Sequence, residues 1–174
     1  MGETGRSSPP KVPGCVRAQR NGVPRAYGVT LIICPFNGPL LLSLRPAVAA
    51  LSAGNPCVLK LSEALLATDE LLQELIPRYF EQESLSAVVG GRETVTNLLK
   101  LPFDFMFLTG IVAVGKVVMR AAAEHITPVL LELGGQNPAI VDETANIPDA
   151  AKKIVWGAMA WGGQWYITRV CCRS

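Results

Sequence analysis

Glu132 stands in Val-Leu-Leu-Glu-Leu, flanked by Leu131 and Leu133 in an apolar run. A carboxylate in that setting must be paired, hydrogen-bonded or protonated, and desolvation raises its pKa. Four further residues carry usable groups: Asn37 after Pro-Phe, Lys60 after Cys-Val-Leu, and the pair Thr109-Gly110 after Phe-Met-Phe-Leu. Each has a plainer reading when taken singly. Lys60 serves as a solvated charge, Asn37 as a turn former and Gly110 as a turn glycine. The sulfur inventory is less promising. Cys15, Cys34, Cys57, Cys171 and Cys172 are odd in number and irregularly spaced, with no C-x-x-C pair. Such a set reads as free thiols in a reducing compartment, not as a disulfide framework. The single histidine, His125, has only Glu124 beside it, so no metal site is expected. The adjacent Cys171 and Cys172 follow Gly162-Gly163 and Trp165 near the last residue, where a nucleophile is conceivable on type alone.

The elements that position these groups follow from alternating apolar runs and turn signals. Val29 to Cys34 is a short β-rich run of the kind buried on both faces of a sheet. Pro35 to Pro39 is turn chemistry, and Leu40 to Ala53 reads as a helix stopped by Gly54-Asn55-Pro56. The alternation continues with a strand at Cys57 to Leu59, ending at Lys60. A helix follows near Leu65 to Tyr79, then a strand near Leu85 to Val89 and a short helix at Glu93 to Leu99. Beyond it are a strand at Phe103 to Leu108, a helix from Val112 to Glu124, strands at Val129 to Leu133 and Ala139 to Val141, and a helix near Asp149 to Trp161. This order predicts an α/β fold, an open and mainly parallel sheet with helices on both faces. Ligands bind such sheets at the carboxyl ends of the strands. Asn37, Lys60, Thr109, Gly110 and Glu132 all lie at or just past a strand end, in one candidate region.

The 174 residues suffice for one domain with a real core, and 49% of them are apolar. The formal charge is only +2, without a basic face interleaved with aromatics, so nucleic acid is not an expected partner. Residues 1–26, rich in Pro, Gly, Ser and Arg, read as an irregular lead-in. The nineteen uncharged residues from Ala26 to Leu44 are long enough to span a bilayer, but Pro35, Asn37, Gly38 and Pro39 break their centre. No export signal is read, and the expected location is cytoplasmic.

Three segments in order, PFNGPLLLSLRPAVAALSAGNPCVLKLSE, FLTGIVAVGKVVMRAAAEH and PVLLELGGQNPAIVDE, resemble the NAD(P)-dependent aldehyde dehydrogenase superfamily. The resemblance covers Tyr27 to Trp165 and implies a partial Rossmann-like cofactor domain there, followed by an off-pattern tail over 166–174. It further implies NAD as cofactor, with NADP as the alternative, and an aldehyde substrate of the long-chain or aromatic class. The intact family is homo-oligomeric. By the same resemblance Asn37 donates its amide to the oxyanion of a tetrahedral intermediate, and Glu132 is the general base that activates water. Lys60 and Glu63 match the pair that holds the adenosine ribose, where a carboxylate favours NAD over its 2′-phosphorylated form. Thr109, Gly110, Gly115, Leu133 and Gly134 match residues beside the cofactor.

The departures fall at defined positions. Phe36, Leu61, Ile111 and Gln136 replace residues frequent in the family, and Ile111 removes a hydroxyl from the expected pyrophosphate contact. The family carries its nucleophile as Gly-Gln-x-Cys. Here Gly163-Gln164-Trp165 is followed by Tyr166, whose phenol, with a pKa near ~10, does not replace a thiolate. Cys171 and Cys172 fall too late in the chain to match. One back-translation of the tail, read one base later, gives Thr-Ser-Pro-Gly-Phe-Ala-Ala-Glu, which predicts a frameshift or mis-spliced junction after Trp165. The expectation is therefore an aldehyde dehydrogenase cofactor domain cut off at the nucleophile and inactive alone, or alternatively a non-catalytic nucleotide-binding or interaction fragment.

Overall fold

A computed structural model describes residues 25–135, 137–165 and 170–173, the last group in backbone only. The expectations for the lead-in before residue 25, for Gln136 and for Tyr166 lie outside the described residues. The chain runs β1 (Thr30–Ile33), α1 (Pro39–Ser52), β2 (Cys57–Lys60), α2 (Leu66–Tyr79), β3 (Leu85–Val88), α3 (Arg92–Leu98), β4 (Phe105–Gly110), α4 (Val112–His125) and β5 (Val129–Leu133). It continues through β6 (Asn137–Ile140), α5 (Ile147–Met159), a 3-10 turn (Ala160–Gly163) and β7 (Val170–Arg173). Five strands form one sheet in the order β3-β2-β1-β4-β5, with every pair parallel. The α/β reading of the sequence is correct.

Parallel strands covered on both faces need apolar side chains on both, and β1 supplies them with every residue buried. Ile32 and Cys34 face one cluster with Ala47, Leu59, Leu72 and Ile76, under α1 and α2. Leu31 and Ile33 face the other, with Met106, Leu108, Val118 and Ala122, under α4. Two devices fix the turns next to β1. Helix α1 starts on Pro39, where a missing N–H costs nothing, and closes with a paired cap. Gly54, at φ +80°, donates to the Leu51 carbonyl, and the Asn55 N–H donates to Ala50. The Asn55 side chain then accepts from the Gly28 N–H at 3.0 Å, tying the entry of β1 to the end of α1.

Three boundaries differ from expectation. Thr109 and Gly110 belong to β4, paired with Glu132 and Leu133, because the edge strand extends the ladder past Leu108. Trp161 leaves the α5 helix and adopts φ +55° within the 3-10 turn. Residues 170–173 of the off-pattern tail form β7, which pairs in parallel with β6 across the α5 crossover. Among the described residues no helix is long and apolar enough to cross a membrane; the run from Ala26 to Leu44 is spent on β1 and the start of α1.

Candidate functional site

The strand order reverses between β1 and β4. The chain leaves β1 into α1 on one face of the sheet and leaves β4 into α4 on the other, opening a crevice at the carboxyl ends. Asn37 lies just past β1, Gly110 ends β4, and Lys60 ends the neighbouring β2, in register with Ile33.

Lys60 is 3% exposed, an expensive position for an ammonium unless it is paired. Its Nζ donates to the Leu61 carbonyl at 2.6 Å and to Glu63 Oε2 at 2.9 Å. The Glu63 carboxylate is 60% exposed and turned towards solvent, and the Lys60 hydrogen bond holds its pKa below the usual carboxylate range. Across the crevice, Ile111 precedes α4 at the cap position, and its 65%-exposed side chain makes no capping hydrogen bond. The first-turn amides of a fourteen-residue helix are thus uncapped by any side chain, an arrangement that favours an anion. A buried cation, an exposed carboxylate and an open helix start suit the ribose and pyrophosphate of a dinucleotide.

The other expected residues fall into separate contacts. Asn37 Nδ2 donates to the Gln164 carbonyl at 2.7 Å, which brings the Gly163-Gln164-Trp165 segment to the end of β1. Trp161 stacks on Trp165 with ring centroids 5.1 Å apart and covers Gly38, where a Cβ would come within 2.7 Å of its ring. Gly115 and Leu133 meet each other: a Cβ on Gly115 would stand 3.0 Å from Leu133, so the glycine lets α4 press onto β5. Gly134 follows β5, and a Cβ added there would meet nothing within 4 Å among the described residues. Thr109 is half-buried and is the register partner of Glu132.

Glu132 itself corrects the sequence reading. Its side chain is exposed, as is that of Leu130, while Val129, Leu131 and Leu133 are half-buried. The apolar neighbours suggested a desolvated carboxylate. However, β5 is the edge of the sheet, and α4 covers only the face carrying Leu131 and Leu133. The carboxylate is therefore exposed to solvent.

A sequence profile described as the aldehyde dehydrogenase family matches residues 15–172. The chain belongs to that family. Over 138 residues it is 49% identical to a 4,4'-diapolycopene-4,4'-dial dehydrogenase of Cytobacillus firmus, covering 79% of this chain and 30% of that relative. Its fold superposes with TM-score 0.82 on a substrate-bound Staphylococcus aureus AldH, at 39% identity over 86% of this chain and 33% of that one. A Mycobacterium tuberculosis aldehyde dehydrogenase complexed with NAD+ superposes at 0.76 with 34% identity, over 83% of this chain and 31% of that one. The chain thus spans about a third or less of the relatives it matches.

Two buried thiols of the chain are unsuited to nucleophilic work. Burial pushes Cys34 and Cys57 up to about 11, so both stay protonated near neutrality. Sequence reasoning missed Asp69, a carboxylate 3% exposed in the first turn of α2. The signal was available: Asp69, Leu72 and Ile76 follow helical spacing and share one buried face.

Proposed function

We propose that the chain supplies the nucleotide-binding part of an NAD-dependent aldehyde dehydrogenase, the cofactor domain running over 27–165. The whole protein's reaction is the oxidation of an aldehyde, of the long-chain or aromatic class, to a carboxylic acid, with NADP as the alternative acceptor. When bound, the nicotinamide accepts the hydride, and water supplies the second oxygen of the acid. Lys60 and Glu63 hold the adenosine ribose, Glu63 by accepting from its hydroxyls. The uncapped start of α4, with Thr109 and Gly110 leading into it and Gly115 in its first turn, faces the pyrophosphate. Asn37 donates its amide to the oxygen of the tetrahedral adduct, and that amide is already directed at the Gln164 carbonyl, next to the nucleophile register. Glu132, exposed on β5, takes the proton of the attacking water, and Leu133 and Gly134 beyond it lie beside the cofactor. Homo-oligomerisation and a cytoplasmic location complete the proposal for the whole protein.

The observation that carries this reading is the Lys60–Glu63 pair, 2.9 Å apart at the end of β2 beside the switch point. Tyr166 in the nucleophile register favours a chain that binds the nucleotide without turnover. Calorimetric titration with NAD, followed by a spectrophotometric assay with decanal and benzaldehyde, tests both halves. The expected result is saturable NAD binding and no NADH. NADH formation overturns the second half, and an absence of binding overturns the first.

A further inference from the structure

Just before Gln164 the backbone enters the left-handed region and stays there, with Trp161 at φ +55°, Gly162 at +65° and Gly163 at +73°. Glycine takes such angles freely, but a residue carrying an indole does not. An outlier of this kind persists only where its surroundings hold it. The ring of Trp161 stacks on Trp165 at an interplanar angle of 22°, and its carbonyl accepts from the Gln164 N–H at 3.2 Å. The ring edge lies over the buried Gly38, where a Cβ would come within 2.7 Å of it. Gly38 sits at φ −150°, outside the region that favours glycine, so its own backbone does not call for one. What the missing Cβ leaves is room for Trp161. These contacts flank the 2.7 Å hydrogen bond from Asn37 to Gln164, since Gly38 follows Asn37 and Trp165 follows Gln164.

We propose that Trp161 is a positioning residue which, seated on Gly38, holds the Gln164 carbonyl on the Asn37 amide and so fixes the nucleophile register against the oxyanion donor. The proposal rests on the reading that Asn37 is that donor. A side-chain amide has two N–H groups; the one given to Gln164 orients the amide plane and leaves the other for the oxygen of the adduct. Without the indole, the turn would rest on Gly162 and Gly163, whose backbones do not hold a single conformation by themselves.

Nitrogen-15 NMR of the full chain reads the Asn37 side-chain amide directly, its signal assigned by its loss in Asn37→Ala. In wild type the proton facing Gln164 should exchange with water slowly. Trp161→Gly accepts the left-handed backbone without strain, and Gly38→Ala displaces the ring without altering it. Both should speed that exchange by roughly threefold to tenfold, the worth of one neutral hydrogen bond. Trp161→Phe, which keeps a ring, should retain most of the protection, and Trp156→Ser on the exposed side of α5 should change nothing. A second arm places a thiol in the nucleophile register with Tyr166→Cys and follows its acylation by p-nitrophenyl acetate through release of p-nitrophenolate. Adding Asn37→Ala should slow release on the order of 10²-fold, and adding Trp161→Gly roughly tenfold. An Asn37 amide unmoved by Trp161→Gly and Gly38→Ala, or acylation that needs Asn37 but not Trp161, overturns the proposal alone. Absent acylation, or acylation indifferent to Asn37→Ala, overturns the oxyanion reading, and the proposal falls with it.

Discussion

The two halves of the sheet carry equally apolar strands and yet end in different states. On the side of β1, β2 and β3, helices α1 and α2 close over Ile32, Leu59, Leu72, Ile76 and Leu85, and a buried lysine sits paired at the end of β2. On the side of β4 and β5 one face is packed by α4, whereas Leu130 and Glu132 stay in solvent. The α5 helix beyond them has no buried residue, leaving Ile147, Val155, Trp156 and Met159 exposed. Burial is thus a property of what covers a strand, not of the strand's own residues. An exposed apolar surface of this extent favours self-association.

The sharpest test of that contrast is a pair of matched truncations. Leu59 is fully buried in the closed half, and Leu59→Ala should cost ~2–5 kcal/mol from lost burial and an unfilled cavity. Leu130→Ala, the same change on the open face, should stay within about 0.5 kcal/mol. Urea unfolding of both measures the gap, and equal losses would show that the open face is covered after all.

The second test addresses the chemistry that the closed half protects. Lys60→Met keeps most of the buried stem but removes two charge-assisted hydrogen bonds, to Leu61 and Glu63. The ammonium is also the donor proposed to hold the ribose, and a charge-assisted hydrogen bond is worth ~1.5–3 kcal/mol, so NAD affinity should fall on the order of tenfold to a hundredfold. Isothermal titration checks it, and unchanged affinity would remove Lys60 from the site. Gly115→Ala probes the packed face of the open half. Its Cβ would stand 3.0 Å from Leu133, and the resulting overpacking should cost ~1–2 kcal/mol despite the better helix propensity of alanine. A gain in melting temperature would mean that α4 shifts freely on β5.

Much of this division was legible in the residues, and the part that was not has a physical cause. Runs such as Val29 to Cys34 and Cys57 to Lys60 located the central strands to within a residue or two, since only a doubly covered strand needs side chains like these. The fold could therefore be anticipated from the runs themselves, whereas the Lys60–Glu63 pair was expected only through the resemblance to the family. Glu132 was misjudged because apolar neighbours along a strand say nothing about which face the rest of the chain covers, and an edge strand has one face fewer to hide. Asp69 was overlooked for the opposite reason. Its polarity suggested surface, while its spacing from Leu72 and Ile76 put it on the buried face of α2.

That buried carboxylate, whose Oδ2 has no hydrogen-bond partner among the described residues, gives the closed half a pH dependence of its own. Burial raises the folded-state pKa of Asp69, so its contribution to stability is fully present below the ordinary aspartate pKa of about 3.9. It is lost as pH rises through the raised folded value, because the native carboxylate must then ionise without a donor. Glu63 acts with the opposite sign, since its pKa is lowered, and loses its contribution as pH falls through its folded value. Chemical denaturation at several pH values should show wild type losing stability relative to Asp69→Asn as pH rises out of the carboxylate range. Parallel curves would mean that Asp69 finds a donor in solution.

The smallest expected effect lies on α5. This helix is started by the Asn146 side chain, which accepts from the Asp149 N–H at 3.1 Å, and carries the Lys153–Asp149 pair on its exposed surface. Neither feature depends on Trp156, which is 74% exposed. Trp156→Ser should leave the unfolding free energy within about 0.5 kcal/mol, because a solvated indole has little burial to lose. The same change removes one of the largest apolar groups of the open half, so sedimentation velocity should report less self-association at equal concentration. A loss above ~1 kcal/mol would place Trp156 against a surface that closes the second half as α1 and α2 close the first.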